Sequence, residues 1–263
     1  MESVCSELEK MIYAGRGIVA GVTLDGKPFV TYFVTGRSPS SQARKFVQSE
    51  KTKVIRTAVT NEEELKTGSP ALLLYPAMAY VPEADTIVAS NGAQTKLIYS
   101  AVKESKGSHL VHGFFTQAFK LPLYEYDQKD DRWIDITTYE PDAPNNTPRI
   151  TAALTCPSGI GMTSVWCEEG YPRGQIYYKG TERGKGNLLT TYKGGNENPL
   201  LPLVDGPKEV EIPYETISDL TENIYNATKG GVPGKDFRVC AATMAKNDGG
   251  IETYIINRSD RGE

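Results

Sequence analysis

The chain is poor in the residues that build metal centres and cross-linked folds. Its 263 residues hold two histidines, His109 and His112, and four cysteines, Cys5, Cys156, Cys167 and Cys240. No C-x-x-C spacing occurs, which argues against a zinc site and against a disulfide framework, so each cysteine is expected to be a small apolar residue. His109 and His112 lie three apart on a predicted helix, with no acidic or cysteine partner at ligand spacing. They are read as structural, and no metal is expected. No run of about 18 apolar residues exists, so no membrane span is expected. Met1-Glu2-Ser3-Val4-Cys5 lacks the basic and apolar regions of a secretory signal. The net charge of −4 is not the basic excess of a nucleic-acid binder, although a few arginines converging in a cleft still suit a small anion. These features together predict a cytoplasmic protein. Nucleotide-binding signatures are missing too. There is no G-x-x-x-x-G-K-[ST] loop, no strand-linked G-x-G-x-x-G and no G-x-S-x-G elbow; Gly184-Lys185-Gly186 is merely loop-like.

What is present is an ordinary globular composition, 39% hydrophobic and 24% charged, in a chain long enough to bury a sizeable core. Residues 17–35 place two β-rich runs around Asp25-Gly26, which predicts a hairpin with a type I′ turn. Further strands are expected at 53–59, 72–81, 85–89, 150–155, 162–167, 175–179 and 187–193, and a closing hairpin at 237–258. Helical spacing marks 95–106, with Leu97, Ile98, Ala101 and Val102 on one face. It also marks 214–229, with Ile217, Leu220, Ile224 and Ala227; a further helix is expected at 110–119. Hairpins dominate this order. The fold class is therefore α+β, two mainly antiparallel sheets with helices outside, in one domain over 1–263, with a loop-rich elaboration around 168–213.

Five segments carry candidate chemistry. They are Tyr13-Ala14-Gly15-Arg16, the run from Gly36 to Arg44, Ser90-Asn91-Gly92-Ala93-Gln94-Thr95, Tyr139-Glu140-Pro141-Asp142 with the following Asn146-Thr147-Pro148-Arg149-Ile150, and Asn247-Asp248-Gly249-Gly250. Arg16, Arg37, Arg44 and Arg149 recur at strand ends, where guanidinium groups can grip phosphate bidentately; any one alone is as well explained as a solvated sheet end. Ser90-Asn91-Gly92, at a helix entrance, is either an anion site made of free N–H groups or an ordinary cap and turn. Glu140 beside phosphate-binding arginines can orient a substrate or move a proton, or it can be a plain acidic loop residue.

At these segments the sequence resembles the archaeal-type IMP cyclohydrolase family. Tyr13-x-Gly15-Arg16 with Val19-Ala20-Gly21 resembles its opening strand, and Phe29 to Tyr32 followed by Arg37-Ser38 its second strand and turn. Asp85-Thr86 to Ser90-Asn91-Gly92 resembles a further block. Asn146-Thr147-Pro148-Arg149-Ile150 with Ala152-Ala153 is the most specific match, and Asn247-Asp248-Gly249 a weaker echo. The resemblance implies an αββα four-layer sandwich like that of N-terminal-nucleophile (Ntn) hydrolases, without self-processing. It implies ring closure of a formylated aminoimidazole carboxamide ribotide to IMP, no metal or organic cofactor, a purine ribotide as ligand and a homo-oligomer. It also implies a catalytic tyrosine at Tyr75 and glutamate at Glu140; for the charge developing on the formyl oxygen, Asn91 or an arginine guanidinium is the candidate donor. Arg16, Arg37, Ser38, Arg44, Gly92, Thr147 and Arg149 become substrate-binding candidates. The turn between Arg37 and Arg44 is longer than the family pattern, which leaves Gln42 as a rival to Arg44. Two other readings stand beside this one: a purine-nucleotide-binding protein without turnover, and an Ntn-type amidohydrolase, which would need cleavage before Cys5 or Ser3.

Overall fold

The computed structural model describes residues 1–65, 69–105, 118–155 and 159–262. Two antiparallel sheets carry the fold. The six-stranded sheet has the order β13-β12-β1-β2-β14-β15, with β1 Arg16–Val22, β2 Pro28–Thr35, β12 Lys185–Thr190, β13 Lys208–Glu211, β14 Arg238–Asn247 and β15 Gly250–Asn257. The seven-stranded sheet has the order β11-β10-β9-β6-β5-β4-β3. Its strands are β3 Arg44–Gln48, β4 Ile55–Val59, β5 Pro76–Val81, β6 Thr86–Ser90, β9 Arg149–Thr155, β10 Gly159–Glu168 and β11 Tyr171–Lys179. A separate hairpin pairs β7 Tyr124–Asp127 with β8 Arg132–Asp135.

Strand periodicity sorts the side chains into layers. Ile18, Ala20, Val30, Tyr32 and Val34 from one sheet meet Ile87, Ala89, Ile150, Ala152 and Leu154 from the other in a core between the sheets. The alternate residues Val19, Phe29, Phe33, Ala241 and Ala245 face outward and are covered by α1 Val4–Glu9 and a C-terminal helix, Ile217–Ala227. On the far side, Ala79, Val81, Val88 and Ala153 are covered by the helix Thr95–Glu104 through Ile98 and Val102. The layer order is helix, sheet, sheet, helix, and the class is α+β. Because both sheets are covered on both faces, several strands are buried throughout; β1, for example, is buried at every position from Arg16 to Val22.

Three expectations are corrected. The β1–β2 connection is not type I′, which needs two residues with positive φ. Here only Gly26 is left-handed (φ +96°), and Gly26 N–H donates to the Thr23 carbonyl at 3.1 Å, the longer turn closed by a glycine. The strand expected over 72–81 begins instead as a helical turn, Pro70–Leu73, because Ser69-Pro70 provides a cap position and a proline at the first helical residue; β5 starts only at Pro76. The loop-rich region 168–213 is more than an elaboration. It supplies β11, β12 and β13, and β12 pairs with β1 from Gly17–Thr190 to Gly21–Gly186. The helix expected at 110–119 falls largely outside the described residues, and His109, His112 and Cys156 lie wholly outside them. Among the described residues no helix is long and apolar enough to cross a membrane.

Candidate active site

Antiparallel pairing brings alternate strand ends together. The start of β1 at Arg16 meets the end of β2 (Arg16 pairs with Val34) and the end of β12. In the other sheet, the start of β9 meets the end of β6, with Thr151 opposite Ser90. Loops leaving these ends enclose a cleft of about 330 Å³, within the roughly 300–1,000 Å³ of small-molecule sites. Arg16, Arg37, Ser38, Arg44, Glu140 and Thr147 all line it. Residues not singled out from the sequence complete its wall, among them Thr35, Asn145, Tyr192, Leu200 and, from the turn at Pro70–Leu73, Leu72 and Leu73. Tyr192 and Leu200 were hidden because they belong to the stretch read as an elaboration.

The cleft has two poles of different charge balance. At the first, Glu140 is buried between two guanidinium groups. Arg16 Nη2 donates to Glu140 Oε2 at 2.8 Å, whereas Arg149 Nη1 stands 3.7 Å from Oε1, beyond hydrogen-bond range. Glu140 Oε1 and Arg149 Nε are both buried and have no hydrogen-bond partner. Burial works against the charge on Arg16, but the adjacent Glu140 carboxylate prevails and holds its pKa well above the usual arginine value. Arg149 goes the other way. Burial lowers it and Glu140 offsets only part of the fall, as its longer separation requires. Both remain cationic at neutral pH. Asp142 is pushed up by burial and by the negative charge of Glu140; it accepts from Thr147 N–H at 2.6 Å and from Thr147 Oγ1, which also meets Tyr192 OH at 2.6 Å.

At the second pole the cations are unmatched. Arg37 is half-buried over the Tyr13 ring, 4.9 Å from its centroid, and donates to Asn196 Oδ1 and the Glu197 carbonyl. Arg44 is buried; its Nε donates to the Ser41 carbonyl at 2.9 Å and its Nη1 has no partner. Neither reaches a carboxylate at ion-pair distance among the described residues. Ser38 and Ser41 cap the turn Pro39–Gln42 reciprocally, each side-chain oxygen accepting from the other's backbone N–H, and this sets the serines beside the two arginines. Of the rivals Arg44 and Gln42, Arg44 lines the cleft. Gln42 is exposed and donates to the carbonyls of Gly36 and Asp236.

Arg149 does not line the cleft but is buried behind its wall, as are three further residues expected at the site. Tyr75 is buried, its hydroxyl 2.8 Å from that of Tyr32, and both phenols are close enough to Arg16 to act on its charge. Asn91 is buried, with Nδ2 donating to the Pro148 carbonyl and Oδ1 accepting from Ile150 N–H and Gln94 Nε2. Its amide ties the helix entrance to β9. The space over Gly92 holds the Arg149 guanidinium; a Cβ there would lie 2.1 Å from Nη1. Of the two readings of this helix entrance, an anion site or an ordinary cap and turn, the space an anion would take holds a cation of the protein itself. The fifth segment is not at the site. Asn247 ends β14, at the opposite end of the sheet from Arg238 and Thr35, where Lys246 pairs with Asp85. Cys5, one candidate for a freed nucleophile, packs outside the cleft with Sγ 3.1 Å from Tyr214 OH, and burial pushes its thiol up.

Comparison with known proteins gives a consistent set of likenesses. The family model described as "IMP cyclohydrolase-like protein" matches residues 13–250. The chain is 25% identical over 238 residues to the IMP cyclohydrolase of Methanococcus maripaludis strain C6, covering 90% of this chain and 97% of that one. It is 26% identical over 242 residues to the IMP cyclohydrolase of Methanocaldococcus jannaschii, covering 90% and 96%. A third IMP cyclohydrolase, from M. maripaludis strain S2, is 33% identical over 144 residues, 55% of this chain and 59% of that one.

Proposed function

The chain belongs to the IMP cyclohydrolase-like protein family, and from that premise we propose that it is an IMP cyclohydrolase, closing the pyrimidine ring of 5-formamidoimidazole-4-carboxamide ribotide to give IMP. In this reaction the carboxamide nitrogen bonds to the formyl carbon. The formyl oxygen then leaves as water with one hydrogen from each of the two nitrogens. No electrons are exchanged, so this reading invokes no cofactor. Both reacting groups sit on one substrate, and the protein has chiefly to orient and polarise them.

The observation that carries the reading is the pair of unpartnered buried groups at one pole. Glu140 Oε1 is a buried acceptor and Arg149 Nε a buried donor, neither with a hydrogen-bond partner, so each is left with unused hydrogen-bonding capacity that substrate reaches only as the wall adjusts. A carboxamide beside a formamide offers the N–H and the carbonyl oxygen that complement them. In this reading Glu140 accepts the carboxamide proton and a guanidinium stabilises the oxyanion that develops on the formyl oxygen. Tyr75, behind the wall and hydrogen-bonded to Tyr32, acts on the reacting pole through the neighbouring Arg16. Arg37 and Arg44, with Ser38 nearby, take the ribotide phosphate, since their charges are not already matched by carboxylates, while Thr147 contacts substrate from the Glu140 pole. Arg16 and Arg149 serve the ring pole. Asn91 and Gly92 act by holding that pole in place and make no contact with substrate. The ligand is a small purine ribotide; nucleic acid and membrane are not partners in this reading, and the protein works in the cytoplasm as a homo-oligomer.

The test is direct. Purified protein is offered the formylated ribotide and the absorbance of IMP is followed. Turnover supports the proposal. Tight binding of IMP with no cyclisation points instead to a nucleotide-binding protein, and intact mass excludes the amidohydrolase if the active chain retains Met1 to Cys5.

A further inference from the structure

Gln94 lies in one of the five candidate segments, with no role assigned to it from the sequence; it is buried and hydrogen-bonded on both sides of its amide. Its Nε2 donates to Asn91 Oδ1 at 3.0 Å and to the Ile150 carbonyl at 3.4 Å, and its Oε1 accepts from Arg149 Nη1 at 3.1 Å. The orientation is forced. The Ile150 carbonyl can only accept, and Asn91 Oδ1 is fixed as an acceptor by Ile150 N–H, so the nitrogen of Gln94 must face them and its oxygen must face Arg149.

Arg149 Nη1 therefore has two competing acceptors. Gln94 Oε1 holds it at 3.1 Å, and Glu140 Oε1 stands at 3.7 Å, buried and without a hydrogen bond. An unrestrained guanidinium beside a carboxylate closes to about 2.7–2.9 Å. Gly92 provides the groove in which the guanidinium is kept back, because any side chain there would collide with Nη1. We propose that Gln94 is a positioning residue that restrains Arg149 from capping Glu140, so that the buried Oε1 keeps its hydrogen-bonding capacity for the substrate's N–H. Arg149 then supplies charge to the pole without consuming the acceptor. This rests on the cyclohydrolase reading for what the unpartnered acceptor is used for, but the restraint itself is a property of the free protein.

The experiment uses Gln94→Met, which keeps the length of the side chain and removes both amide functions. Steady-state kinetics on the formylated ribotide are read together with a crystal structure of the variant. The expected result is a kcat lower by roughly 10- to 100-fold, the scale of a small displacement of a reacting group, with KM within about twofold because ground-state binding at the phosphate pole is untouched. The structure is expected to show Arg149 Nη1 in hydrogen-bond contact with Glu140 Oε1. An unchanged kcat, a parallel loss of kcat and KM, or a variant in which Arg149 stays apart from Glu140 overturns the proposal. If Gln94→Met does not fold, Gln94→Asn, whose shorter amide cannot reach Arg149, is read by the same criteria. A wild-type protein that fails to cyclise the ribotide sinks the functional reading alone; the Arg149–Glu140 distance in the variant still decides the restraint.

Discussion

At the scale of single residues, Glu140 concentrates the consequences. Its carboxylate is the sole acidic ion-pair partner of Arg16 and Arg149 among the described residues. Glu140→Gln keeps the shape but leaves two buried cations without a counter-charge. Two losses are expected together: stability, by about 3 kcal/mol or more as for a broken buried ion pair, and kcat, by about 10²-fold or more as for loss of an acid–base group. Denaturant melts and kinetics on the same sample separate them, and a variant with full turnover removes Glu140 from the mechanism. Asp142 gives a pH-dependent prediction. Its carboxyl is raised above the ordinary 3.8 by burial and by Glu140. A carboxyl raised by folding stabilises the fold while protonated; that contribution is whole below the unfolded pKa and is lost as pH rises through the folded value. Asp142→Asn removes this dependence. The melting temperature of the wild type relative to the variant should fall as the pH is taken from about 4 to about 7; a constant difference contradicts the assignment.

At the scale of elements, caps and covered faces explain which segments were readable. Ile217–Ala227 is amphipathic, opens with Thr216 accepting from Asp219 N–H at 3.1 Å, and buries Ile217, Leu220 and Ile224 on the six-stranded sheet. Thr216→Ala should cost about 1 kcal/mol, a drop in Tm of about 2–4 °C for a chain of this size; calorimetry checks it, and no change would show that this cap is not a source of stability. The β1–β2 hairpin was legible because both strands alternate in β-rich residues around a glycine. The turn type was not, because Asp-Gly suits more than one loop length and the register of the flanking strands chooses between them. The short turn at Pro70–Leu73 was misread as strand because apolar Ala71 to Leu74 has no period long enough to tell the two apart.

At the scale of the whole molecule, the arrangement of the two sheets creates the charge division of the cleft. The ion-paired pole joins Arg16, which lines the cleft from one sheet, to Arg149, buried behind the wall in the other, through a glutamate on the intervening loop. The unpaired pole draws Arg37 and Arg44 from the turn that leads from β2 to β3. Arg37→Ala and Arg44→Ala should each raise KM for the ribotide by roughly 10- to 100-fold, the value of a charge-assisted hydrogen bond. Binding of the riboside lacking the phosphate should barely change. Equal losses for ribotide and riboside would put the phosphate elsewhere in the cleft.

The sequence by itself determined the α+β class, most strands and the two long helices, because hydrophobic period and turn chemistry are local. It also singled out Arg16, Arg37, Arg44, Thr147, Arg149 and Glu140, since charged residues beside Gly, Pro and Thr at strand ends are visible without a fold. Only the tertiary structure decided which of these share a cleft and in what state. Which arginines are neutralised by Glu140, that Asn91 and Gly92 sit behind the wall, that Asn247 is at the opposite end of the sheet, that Tyr192 lines the cleft and that Gln94 bonds Arg149 all depend on contacts between residues far apart in the chain. Charge pairing and burial are properties of neighbours in space, and the antiparallel order that makes these residues neighbours is set by how two buried sheets close on each other.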